Sequence, residues 1–121
     1  MKIFYSPQCL EYSQPGHPES PARVEATVQF LRGKGFDFTG PHPCRDEDIL
    51  LAHSQKLLES VKKESFFDFD TPLFSGIFEI AKLSAGGAID AAMHCLRHGE
   101  KAFSLMRPPG HHATKDTLGG F

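Results

Sequence analysis

At 121 residues, with 40% hydrophobic and 23% charged side chains, the chain has the make-up of one globular domain, or part of one, and not of a disordered segment. A net charge of −2 without a Lys/Arg block excludes a nucleic-acid-binding surface, and no apolar run reaches the ~20 residues that span a bilayer. Cys9, Cys44 and Cys95 are odd in number and far apart, and Pro7 breaks the amino terminus too early for a signal peptide, so a reduced cytoplasmic protein is expected.

Ile3-Phe4-Tyr5, stopped by Ser6-Pro7, predicts a short buried strand. Residues 6–20 contain three prolines and predict a long loop. Ser20-Pro21 starts a helix, with serine as N-cap and proline at the first helical position. Arg23 stands where a capping box wants Glu or Gln, and a cation there opposes the helix dipole by ~0.5 kcal/mol. It either has a partner elsewhere or keeps its head in water. Val24, Val28 and Leu31 give the inward face, and Gly33 and Gly35 the end.

Phe36 and Phe38 alternate ahead of Gly40-Pro41, which predicts a brief extended segment and a turn. Asp46 is expected to cap a short helix through Leu51, and Ser54 another with Leu57, Leu58 and Val61 inward. His53, between them, reads as a structural hydrogen-bonder. His42-Pro43-Cys44 has no second ligand pair nearby and predicts no metal site. Residues 65–72 form an aromatic and acidic loop in which Phe66, Phe67 and Phe69 can plug the core and Asp70 can cap the next helix.

The longest helix is expected from Leu73 to His98, with Ile77, Ala81, Ala85, Ala88, Ala92 and Leu96 in one stripe, broadened by Ile80, Leu83 and Ala91. Such a helix is largely buried. Gly86-Gly87 in its middle costs roughly 1 kcal/mol per glycine relative to alanine, so another backbone is expected to approach there. Gly99 stops the helix, and Lys101–Leu105 reads as a second buried strand. A helix feeding a strand through a short turn is half of a βαβ unit, which predicts an α/β fold with a parallel sheet. Chemistry in such sheets collects beyond the carboxyl ends of the strands.

The last fifteen residues occupy that place. Pro108 and Pro109 stiffen the backbone, Gly110 allows a turn, and His111 and His112 follow. Two adjacent imidazoles are either one structural and one solvated histidine, or a pair that takes and gives a proton near neutral pH. Adjacent histidines seldom converge on one ion, and no carboxylate lies at ligand spacing, so they predict no metal site.

These segments resemble a known family. Arg107-Pro-Pro-Gly-His-His-Ala113, with Gly119-Gly120-Phe121 after it, is similar to the tandem-histidine motif of the histone deacetylase superfamily in its class II and bacterial form. His17-Pro-Glu-Ser-Pro-Ala-Arg23 resembles the family's amino-terminal segment, His53-Ser54 its His-Ser element, Asp70-Thr-Pro72 with Gly76 its substrate-side loop, and Ala85-Gly-Gly-Ala88 its inner helix. The superfamily also includes acetylpolyamine amidohydrolases and acetoin-utilisation proteins.

The resemblance implies that residues 1–121 form a single partial domain, the amino-terminal third of an arginase/deacetylase-type three-layer α/β fold. It implies a zinc-dependent hydrolysis of N-acyl amides with His111 and His112 as general base and acid. Asp70 would hold the substrate at the rim, Gly120 and Phe121 would lie on the substrate side with Phe121 as a channel wall, and Arg23 would line an inner channel for acetate. The family's zinc ligands have no counterpart here. Zinc is thus expected for the complete family enzyme and none on this chain alone, which would be inactive by itself. Expected partners are an acetylated amine or acetyl-lysine substrate once the site is completed, and a complementing carboxyl-terminal polypeptide or a second copy. The alternative is a non-catalytic binding or oligomerising module derived from the same fold.

Overall fold

In the computed structural model, residues 1–120 are described; Phe121, the expected channel wall, lies outside the described residues. Among them, β1 (Lys2–Phe4), β2 (Phe38–Thr39) and β3 (Ala102–Ser104) form a parallel sheet in the order β2-β1-β3. Ile3 lies level with Phe38 on one side and Phe103 on the other. The ladder carries on past β3, because the Leu105 amide donates to the Phe4 carbonyl at 2.8 Å.

Alternation along β1 sorts the layers. Ile3 and Tyr5 point to one face, where they pack with Cys9, Val28 and Leu105. Val28 belongs to α1 (Pro21–Gly33), whose Val24 and Leu31 close the same cluster. Cys9 sits in a 3-10 turn, Pro7–Glu11, inside the stretch expected as plain loop; the Ser6 hydroxyl accepts from the Gln8 amide at 3.3 Å and starts it. Phe4 points to the opposite face and meets His94 edge-on, with ring centroids 6.3 Å apart. Helix, sheet and helix therefore form three layers.

Two short helices, α2 (Asp46–Leu50) and α3 (Gln55–Lys62), precede the long α4 (Ile77–His98). Ser54 caps α3 through the Leu57 amide, as expected. Asp46 does not cap α2. Arg45 is its N-cap, and the Asp48 carboxylate reaches back to the Arg45 amide at 2.9 Å. Asp46 instead binds Lys62 at 2.8 Å and Lys82 at 3.4 Å, tying α2 to α3 and α4.

α4 begins four residues later than periodicity predicts, because Gly76 turns the chain at φ +87° and its amide is held by Glu64 at 2.8 Å. Its buried face also differs. Ile80, Leu83, Gly86, Gly87 and Ala91 are buried, whereas Ala85, Ala88 and Ala92 are exposed. The glycines explain the difference. A Cβ on Gly86 would lie 1.8 Å from the His42 carbonyl oxygen, so the segment after β2 runs against bare helix backbone. Close approach fixes which side of α4 faces inward, and the alanine stripe turns outward.

Candidate functional site

The chain leaves β3 through Leu105 and Met106 into the histidine loop. Arg107, two residues past Leu105, is 2% exposed, and Glu19 is 4% exposed. Its guanidinium forks onto the Glu19 carboxylate: Nε donates to Oε1 at 2.9 Å and Nη2 donates to Oε2. Nη1 donates to the Cys9 carbonyl at 2.6 Å, and the guanidinium lies over the Tyr12 ring at 5.3 Å. The His17 Nδ1 accepts from the Glu19 amide at 3.2 Å, so the His17-Pro18-Glu19 segment is shaped to present this carboxylate. Sequence reasoning missed this pair. The available signal was two polar residues inside the two densest motifs, 88 positions apart.

Past Arg107 the loop is pinned repeatedly. Ser84 on α4 donates to the Pro108 carbonyl at 2.8 Å. Gly110 turns at φ +59°, and its carbonyl accepts from the Ala113 amide at 3.0 Å. The Ser54 amide donates to the Lys115 carbonyl at 2.8 Å, and His53 Nδ1 lies 2.7 Å from the Thr114 carbonyl. His53 is thus the structural hydrogen-bonder that the sequence suggested.

His111 and His112 are both exposed, with ring centroids 4.0 Å apart and planes tilted by 55°. Gly119 and Gly120 return beside them, and the His112 amide donates to the Gly119 carbonyl at 3.2 Å. A Cβ on Gly120 would stand 2.7 Å from the His112 nitrogen and 2.8 Å from His111 Nδ1, at a φ of +76°. Only glycine lets this segment lie against both histidines. Gly120 therefore adjoins the pair.

Asp70 and Arg23 are placed otherwise. Asp70 is exposed and caps no helix; Asp68 holds that turn instead, accepting from the Asp70 and Thr71 amides at 3.0 and 2.8 Å. Of the loop phenylalanines, Phe66 packs beside Tyr12 and Ile77, but Phe67 and Phe69 are exposed. Arg23 is exposed on the first turn of α1, and its guanidinium has no ion pair among the described residues. The buried arginine of the motif set is Arg107.

Beneath the loop lies a cavity of about 530 Å³, lined by α3, by Ala81, Ala85 and Ala88 of α4, and by Pro109, Gly110 and Gly119. Tyr12 also borders it; burial pushes its phenol up to about 12, so the ring stays neutral. Burial likewise raises the thiols of Cys9 and Cys44, which leaves them unreactive. No group of three or more His, Cys, Asp or Glu side chains that could hold a metal ion comes together among the described residues. The described residues do not by themselves fit a zinc ion.

A family model described as the histone deacetylase domain matches residues 17–121. A protein named "Probable deacetylase" from Methanothermobacter thermautotrophicus is 36% identical over 128 residues, covering all of this chain and 38% of its own length. A histone deacetylase-like amidohydrolase from Pseudomonas aeruginosa is 38% identical over 117 residues, covering 88% of this chain and 30% of its own. The crystal structure of the HDA15 HD domain matches 99% of this chain and 38% of that one with a TM-score of 0.90 at 24% identity, which shows the shared fold. The chain thus spans between 30% and 38% of the length of these relatives. With that domain model matched from the His-Pro-Glu segment through the histidine loop, the chain belongs to the histone deacetylase family.

Proposed function

We propose that this chain carries the acid–base half of a deacylase site that hydrolyses N-acetyl or N-acyl amides of lysine or polyamines. The observation that carries the reading is the loop itself: two exposed imidazoles in ring contact, on a backbone pinned at Pro108, Gly110, Thr114 and Lys115, with Gly119-Gly120 laid against them. In this mechanism one neutral imidazole takes a proton as water attacks the acyl carbon. The other, protonated, gives a proton to the departing amine as the carbon–nitrogen bond breaks. Gly120 keeps the channel side of the pair open and Asp70 holds the amine at the rim; the wall role that the family resemblance gives Phe121 falls outside the described residues. The role for Arg23 is the inner channel, which its exposed position leaves to be closed by other residues.

Zinc, as in the family, would polarise the acyl carbonyl and activate the water. The described residues do not supply its ligands, so the reading places them on further polypeptide, in the same chain or a complementing one. The isolated 121 residues are then inactive, and the active protein works in the cytoplasm. A non-catalytic, self-associating module is the second reading, favoured by Phe103, 52% exposed on the edge strand β3.

The test is His111→Asn and His112→Asn in a deacetylase that carries these residues, assayed on an acetyl-lysine peptide and an acetylated polyamine. Loss of a positioned acid or base lowers kcat by about 10²–10⁴-fold. Turnover within twofold of the parent in both variants contradicts the roles given to the pair.

A further inference from the structure

We infer that Glu19 and Arg107 are positioning residues for the tandem histidines, a lock that sets where the loop leaves the sheet; this rests on reading His111 and His112 as the acid–base pair. Only Pro108, Pro109 and Gly110 separate Arg107 from His111. Prolines have fixed φ, so such a connector transmits the placement of its anchor instead of absorbing it. The Ser84 bond to the Pro108 carbonyl removes further play. Where Arg107 is held, the imidazoles follow.

The chemistry of the anchor suits placement better than stability. Two buried charges lose hydration that their attraction only partly restores, and apolar residues of similar volume fill such a space equally well. A guanidinium forked on a carboxylate adds what an apolar pair lacks, a fixed plane and direction. Here both sides of that fork are directed. The Glu19 amide is bonded to His17, and the remaining Nη1 of Arg107 is bonded to the Cys9 carbonyl. The Tyr12 ring lies against the guanidinium face. The lock joins the amino-terminal His-Pro-Glu segment to the histidine loop, and it accounts for the two motifs occurring together in one site.

The experiment reads the imidazoles directly, by nitrogen-15 NMR of the histidine rings in the 121-residue chain. In Glu19→Gln and Arg107→Lys, the ring resonances of His111 and His112 shift or broaden, while those of His42, His94 and His98 hold their places. Should Glu19→Gln fail to fold, Glu19→Asp keeps the charge, shortens the arm by one methylene and carries the same expectation. Unmoved His111 and His112 resonances in a folded variant overturn the lock. In a deacetylase carrying these residues, Arg107→Lys lowers kcat by about 10²-fold with KM within about twofold, as misplacement of the acid–base groups requires. Unchanged kcat in Arg107→Lys, where the histidine variants do lose turnover, overturns the inference as well. Resonances that move with Glu19, beside histidine variants that retain full turnover, support the lock and contradict the deacylase reading alone.

Discussion

Tyr12 is 1% exposed, yet its hydroxyl has no hydrogen-bond partner among the described residues. A buried donor left unpaired costs free energy, so the ring must be there for another reason. It lies under the Arg107 guanidinium and meets Phe74 edge-on at 5.5 Å. Both contacts use the aromatic face and edge, and neither uses the oxygen. Tyr12→Phe therefore keeps the packing, removes the orphan hydroxyl and raises unfolding stability by about 1 kcal/mol. Urea denaturation reads this as a higher midpoint at unchanged slope. A drop of that size would mean that the hydroxyl is bonded in solution.

At the scale of elements, α4 is set by its two central glycines. Alanine would gain ~1 kcal/mol of helix propensity at either site. At Gly86 the new Cβ meets backbone on two sides, the His42 carbonyl and the Cys44 amide, which cannot swing away. At Gly87 it meets the Ser104 hydroxyl at 2.8 Å and Met106 Cγ at 2.9 Å, atoms on side chains with rotamers to spare. Overpacking costs ~1–3 kcal/mol, with a rigid neighbour at the upper end. Gly86→Ala is thus expected to lower the melting temperature clearly more than Gly87→Ala, and the reverse order would show that the β2–α2 segment is free to retreat.

The same helix shows what was legible in the sequence. The glycine pair announced a close backbone approach, and it is there. The alanine stripe was misjudged, because periodicity reports an apolar face but not which of two apolar faces meets the sheet. Ser54 declared its cap, whereas Asp46 did not cap α2, since Asp48 three residues past Arg45 reached the free amide and left Asp46 to two lysines. At the site, the histidines and the close-lying glycines were visible as a motif. The Glu19–Arg107 pair was not, because nothing local links residues 88 apart and a charged side chain carries no sign of burial. Arg23 drew attention by its awkward place on the dipole, and it is exposed with no ion pair among the described residues.

For the whole molecule, three layers are present but narrow. The sheet ends on one side at β3, and the outward stripe of α4 opens on the cavity beneath the histidine loop, with Ile89, Met93 and Leu96 exposed beyond it. Relatives of the family extend well beyond the matched region, and this chain corresponds to 38% of the first of them. The deacylase reading assigns the open strand edge and the alanine face to the remainder of such a domain, which would also carry the metal ligands.

Zinc content and acetyl-lysine hydrolysis, measured on one purified sample of the 121-residue chain after equilibration with zinc, test this division most directly. The account predicts zinc far below one ion per chain and no turnover above the buffer blank. One tightly held zinc per chain together with hydrolysis of the peptide would contradict it, because the metal half of the site would then lie within these residues.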